Sequence, residues 1–175
     1  MRLGAFDCLR QPVTGSLLLA AVESAAGTKG CNGADHAGLQ AECHSVTRWA
    51  DVAVRSLGAP RDFRTLQEFG RAVGVSSGGF RDWCCTAHIS ARQSLKFARV
   101  FRAVIRQSTS SAPPEDLLNV VDRRTLAKLL VASGGTSTRL PVNEHEFLER
   151  QRFVDNQAAL AAVQAALVSL RNPRQ

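Results

Sequence analysis

Between Leu66 and Trp83 the residues fall into an order that few backbones accept, with Phe69, Val73, Val75, Phe80 and Trp83 at burying positions and the small Gly70 and Gly74 between them. Two short helices crossing at a tight turn require that order. A glycine at 70 lets the second helix approach the first closely, and a glycine at 74 takes the positive φ that the turn demands. Ser76 then stands where a hydroxyl accepts from a backbone N–H at the start of the second helix. The corner so predicted runs from about Thr65 to Thr86, although a two-helix corner in any helical protein shares part of the pattern.

Helical periodicity continues on both sides, so the fold class expected is mainly α: a multi-helix bundle containing a helix-turn-helix. Trp49, Val52, Ala53 and Leu57 follow the 3, 4 spacing of a core-facing stripe, and Pro60 stops that helix. Downstream, Asp122 reads as the N-cap of a helix from Arg123 to Ser133 with Gly134 as its stop. Asn143 with Glu146 resembles a capping box. A last, Ala-rich helix near Asn156 to Leu170 carries Leu160, Val163, Leu167 and Leu170 on one stripe. That stripe serves either the chain's own core or a second copy in a homodimer. Gly- and Ser-rich stretches at 27–38 and 108–114 divide the chain into residues 1–27, a linker at 28–39, a helical basic block at 40–106 and a C-terminal helical extension at 107–175.

Charge singles out the basic block. The chain has a net charge of +7, and from His44 to Arg106 eleven Arg and Lys face four Asp and Glu, so this one segment carries the whole excess. A polyanionic partner is favoured when the excess is concentrated in this way. The five cysteines, Cys8, Cys31, Cys43, Cys84 and Cys85, form no CxxC pair and leave one unpaired in any disulfide scheme, which fits a reducing cytoplasm. Cys84, Cys85 and His88 lack a fourth ligand and a common direction, so no metal and no cofactor is expected. The apolar run Ser16 to Val22 is too short to span a bilayer. His36, His44, His88 and His145 have no nucleophile at suggestive spacing, and no Gly-rich phosphate loop is present, so the chain does not read as an enzyme.

On a helix of 100° per residue, Phe80, Trp83, Cys84 and Ala87 turn inward while Ser77, Gly78, Arg81, Asp82 and Cys85 turn outward. An outward face with short side chains at its start and one Arg a turn in suits the DNA major groove, where Arg bonds guanine bidentately. Ser77, Arg81, Asp82 and Cys85 are the candidate base readers, Arg81 foremost. Asp82 either accepts from a cytosine amino group or holds Arg81 in place. Gly78 and Gly79 weaken this helix by about 1 kcal/mol each relative to alanine. After the Ser90 cap, Phe97, Ala98, Val100, Phe101, Val104 and Ile105 fall on one side of a further helix and Arg92, Lys96, Arg99, Arg102 and Arg106 on the other. With Ser76, these five cations are the candidate phosphate contacts, which set affinity and register without reading sequence. A solvated basic helix face is the competing reading.

Residues 65–81, followed by 89–103, resemble the first DNA-binding half of AraC/XylS-type activators, with a small-residue helix, a Gly-Val-Ser turn, a recognition helix and a long Arg-bearing helix in the same order. The likeness covers some 40 residues. The aromatic-Lys-x-x-Gly ending of that family's recognition helix reads here as Cys84-Cys85-Thr86-Ala87-His88, and the second half lacks the family's Ile-Ala-x-x-x-Gly-Phe signature. Residues 4–12, followed by Leu17, Leu18, Ala21 and Val22, resemble the last strand, loop and helix of a response-regulator receiver domain, with Gln11 in place of its Lys. An ordinary Gly-Asp-Leu-Pro turn before a short helix is the competing reading of the same residues. The resemblances imply a truncated receiver-like remnant at 1–27 with a short strand-loop-helix, and a cytoplasmic, bacterial-type transcription regulator that binds double-stranded DNA. The alternative is a helical protein-interaction module that keeps the fold without the DNA.

Overall fold

The structure, a computed structural model, describes residues 33–171. The chain divides into two units, Met1–Gly38 and Leu39–Gln175, and the second is the one described below. The receiver-like segment at 1–27 lies outside the described residues. Every regular element among the described residues is helical. In chain order these are α1 (Gly33–Arg55), a 3-10 turn (Ser56–Gly58), α2 (Leu66–Val73), α3 (Ser77–Thr86), α4 (Ala91–Gln107), α5 (Pro114–Leu117), α6 (Arg123–Ala132), α7 (Glu144–Arg150) and α8 (Gln157–Arg171). Helix α1 begins inside the stretch that composition marks as linker, since Asp35 to Gln40 contains no proline to stop it.

Caps fix most helix starts. Thr65 and Glu68 form a reciprocal capping box at α2, and Ser76, Ser90 and Asp122 accept from the first turns of α3, α4 and α6. At α7 the box is altered: Asn143 accepts from the Glu146 N–H, but the Glu146 carboxylate reaches back to the N–H of Val142 at 2.8 Å. Helix α6 ends on Gly134 at φ 87, with the N–H of Gly135 bonded to Leu130 O and that of Gly134 to Val131 O, the double closure of a Schellman motif. A Cβ on Gly134 would strike Arg150, so the same glycine lets α7 pack against the end of α6.

Helix α4 runs through the centre. Leu95, Phe97, Ala98, Val100, Phe101, Ala103 and Val104 are all buried, so it is covered on most of its circumference, as a central helix must be. Two aromatic chains run through the core. Phe63, Phe69 and Phe80 join the loop before α2 to α2 and α3, with ring centroids 4.9 Å apart at each step. Trp49, Phe97, Phe101 and Phe147 join α1 to α4 and α7, and Phe147 stacks on Phe101 at 5.3 Å. The fully buried Trp49 donates its indole N–H to Ser94 Oγ at 2.9 Å, satisfying the polar end of an otherwise apolar contact.

The C-terminal block is part of this core and not an appended extension. Leu118, Leu130 and Phe147 are fully buried, and Asn156 Nδ2 donates to Ala87 O at the end of α3. The stripe on α8 is used in the same way: Leu160, Val163 and Leu167 are buried within the chain, leaving only Leu170 of the four exposed. Those three residues are therefore not available as the homodimer face that the stripe alone allowed.

Candidate nucleic-acid interface

Helices α2 and α3 meet at the turn Gly74-Val75-Ser76. Gly74 adopts φ 74, and a Cβ on Gly70 would overlap the carbonyl oxygen of Val75, so both glycines are required by the corner itself. Ser76 Oγ accepts from the Gly79 N–H at 3.0 Å. Phe80 and Cys84 are buried against α2 and α4, as is Ala87 at the close of the helix, while Trp83 is half-buried. The opposite face presents Gly78, Arg81, Asp82 and Cys85 to solvent, with Ser77 partly covered at its edge. Neither Arg81 nor Asp82 has a side-chain partner among the described residues, so they form no pair with one another.

Cys84 and Cys85 point apart. The Cys84 thiol lies 3.6 Å from Ser94 Oγ, and burial, only partly offset by that hydroxyl, pushes its pKa up to about 11. Cys85 is exposed. Thiol chemistry at Cys84 is suppressed by this burial.

The basic stripe on α4 divides in two, which corrects the reading of five outward cations. Arg92 is exposed and Lys96 partly so, and neither side chain is engaged by a described residue. Arg99, Arg102 and Arg106 turn instead onto the loop 59–64. Arg99 grips the Asp62 carboxylate with Nε at 3.1 Å and Nη2 at 2.6 Å, and Nη2 also donates to Leu118 O at 2.7 Å. Arg102 donates Nε to Ala59 O at 3.2 Å and places Nη1 3.4 Å from Asp62 Oδ1. Arg106 completes the set with Nη2 at 2.6 Å from Ala59 O and Nη1 at 3.2 Å from Pro60 O. The side chains of Asp62 and Arg102 are each 3% exposed. Burial, and after it the neighbouring Arg106, lowers the proton affinity of Arg102, and Asp62 opposes that effect.

These three arginines therefore do structural work: they close the loop that enters α2. A guanidinium on a charge-bearing loop supplies several donors in a fixed fork, which suits it to satisfying carbonyls and a carboxylate together. The helical period cannot show this, because the face opposite an apolar stripe is solvent-exposed only where no loop packs on it, and here the 59–64 loop covers it. The one available sign was Asp62, an isolated carboxylate beside Pro60 in a segment otherwise rich in arginine.

The structure also adds a cation beside α3. Arg48 on α1 stands 6.0 Å over the Trp83 ring, and its Nε donates to His44 Nε2 at 3.3 Å. No local pattern joins Arg48 to Trp83, which are brought together only by packing. Arg71 on α2 is exposed as well. No helix among the described residues is long and apolar enough to cross a membrane. No protein-family model, curated protein or solved structure matches the chain.

Proposed function

We propose that the chain is a DNA-binding transcription regulator in which α2 and α3 act as a helix-turn-helix and α3 enters the major groove. The observation that carries this reading is the outward face of α3: an unengaged Arg81 one turn beyond the short residues Ser77 and Gly78, on a helix locked at its start by Ser76 and along its back by Phe80 and Cys84. Arg81 reads a guanine, Asp82 and Cys85 flank it, and Ser77 contacts the neighbouring base edge. Phosphate contacts contract to Ser76, Arg92 and Lys96, since Arg99, Arg102 and Arg106 are spent on the 59–64 loop. The likeness of residues 65–81 and 89–103 to AraC/XylS-type activators supports the same reading, and the likeness of residues 4–12 to a receiver domain makes this the output part of a response-regulator-like protein.

The test is selection of bound duplexes from a random pool at two salt concentrations, followed by titration of the selected sequence. Affinity falls steeply with salt, by a log–log slope of about −0.9 per phosphate neutralised. Arg81→Ala flattens the sequence preference, whereas Lys96→Ala weakens every duplex alike and reduces the slope by about 1. Salt-insensitive binding, or none, overturns the proposal.

A further inference from the structure

Gly78 is required by nothing in its own surroundings. Gly70 and Gly74 serve the corner, and a Cβ on Gly79 would come within 3.1 Å of Ser76 Oγ, the atom that caps α3. At Gly78 the backbone is not left-handed, and apart from its chain neighbours and the backbone of its own helix no described atom lies within 4 Å of where a Cβ would sit. Glycine is nevertheless the poorest helix former after proline, so alanine there would strengthen α3 without a steric cost. A residue that weakens its helix and relieves no contact in its own chain fits a surface from outside that approaches closer than a side chain permits. Gly78 lies one helical turn before Arg81 and Asp82 on the same outward face.

Resting on the DNA reading above, we propose that Gly78 is a contact position at which the backbone of the first α3 turn seats directly against the duplex. Its missing side chain sets how deeply Arg81 reaches into the groove. A Cβ at 78 would lift that end of α3 and lengthen the hydrogen bonds of Arg81 to the base, so bulk at 78 and truncation at 81 damage the same interaction.

The experiment pairs Gly78→Ala and Gly78→Leu with thermal unfolding and with titration of the duplex selected by the native chain. Both variants have better helix formers, so the melting temperature rises by about 2–4 °C for Gly78→Ala. Duplex affinity falls by about tenfold for Gly78→Ala, equivalent to 1.4 kcal/mol, and further for Gly78→Leu. Gly58→Ala, equally open in the 3-10 turn, leaves affinity within about twofold. Unchanged or tighter binding by Gly78→Ala, in a chain whose binding still depends on Arg81, overturns this inference and leaves the DNA reading intact. A native chain that binds no duplex overturns both.

Discussion

At Cys84 a single buried thiol couples the core to pH. Its folded pKa of about 11 stands above the ordinary 9.0, so below pH 9 both states hold the proton and the group is indifferent to folding. Between pH 9 and 11 the unfolded chain releases that proton while the folded chain keeps it, and stability is lost as pH rises. Urea midpoints measured across that interval should fall, and the fall should be shallower in Cys84→Ala. The same burial separates the thiols by reactivity. Near neutral pH a thiol reagent should modify Cys43 and Cys85, which are exposed, and reach Cys84 only in denaturant. Labelling of Cys84 in the native state would show that α3 opens locally. Two non-glycine residues among the described ones hold a positive φ, His88 and Asn119; His88 closes α3 at φ 54, with Ile89 N–H bonded to Cys84 O, in a place where glycine would sit without strain.

Among the elements, the loop 59–64 and α4 are bound by charge, and the energetic consequence differs sharply from that of a surface pair. Asp62→Ala leaves Arg102 buried without its counter-charge, which costs about 3–5 kcal/mol. The comparable change on the surface, Asp51→Ala, breaks a pair with Arg55 whose side chains are 44% and 56% exposed, and costs under about 1 kcal/mol. Chemical unfolding of the two variants checks the contrast, and a mild Asp62→Ala would mean that the arginines find other acceptors. Local features of these elements were legible in sequence because they arise within a turn or two: the caps at Ser76, Ser90 and Asp122, the bend at Gly74, the stop at Gly134. The clamp was not legible, because Asp62 and Arg99 are separated by 37 residues and no periodicity links them. For the same reason the outward-facing residues were legible on α3, where one helix decides which way each residue points, and not on α4. There the outcome depended on what packs against the second face.

On the scale of the whole unit, the segment after Arg106 belongs to the core it was expected to follow. Phe147 is fully buried against Phe97 and Phe101, so Phe147→Ala should cost about 3–5 kcal/mol. It should also lower the stability of α2 and α3, measured by hydrogen exchange, although its aromatic partners lie outside both helices. If those helices kept their protection, they would form an independent unit. Composition does not show this, because the Ser- and Pro-rich stretch at 108–114 has loop character whether it links two domains or two neighbours in one core. The placement of the indoles has an optical consequence. The chain has two tryptophans and no tyrosine. Trp49 is enclosed, whereas Trp83 is half-exposed on α3 beneath Arg48. Its intrinsic emission therefore contains a short-wavelength component from the interior and a longer-wavelength one from α3. A ligand arriving at that helix would quench the second and spare the first, so the native protein carries its own two-channel reporter without a dye.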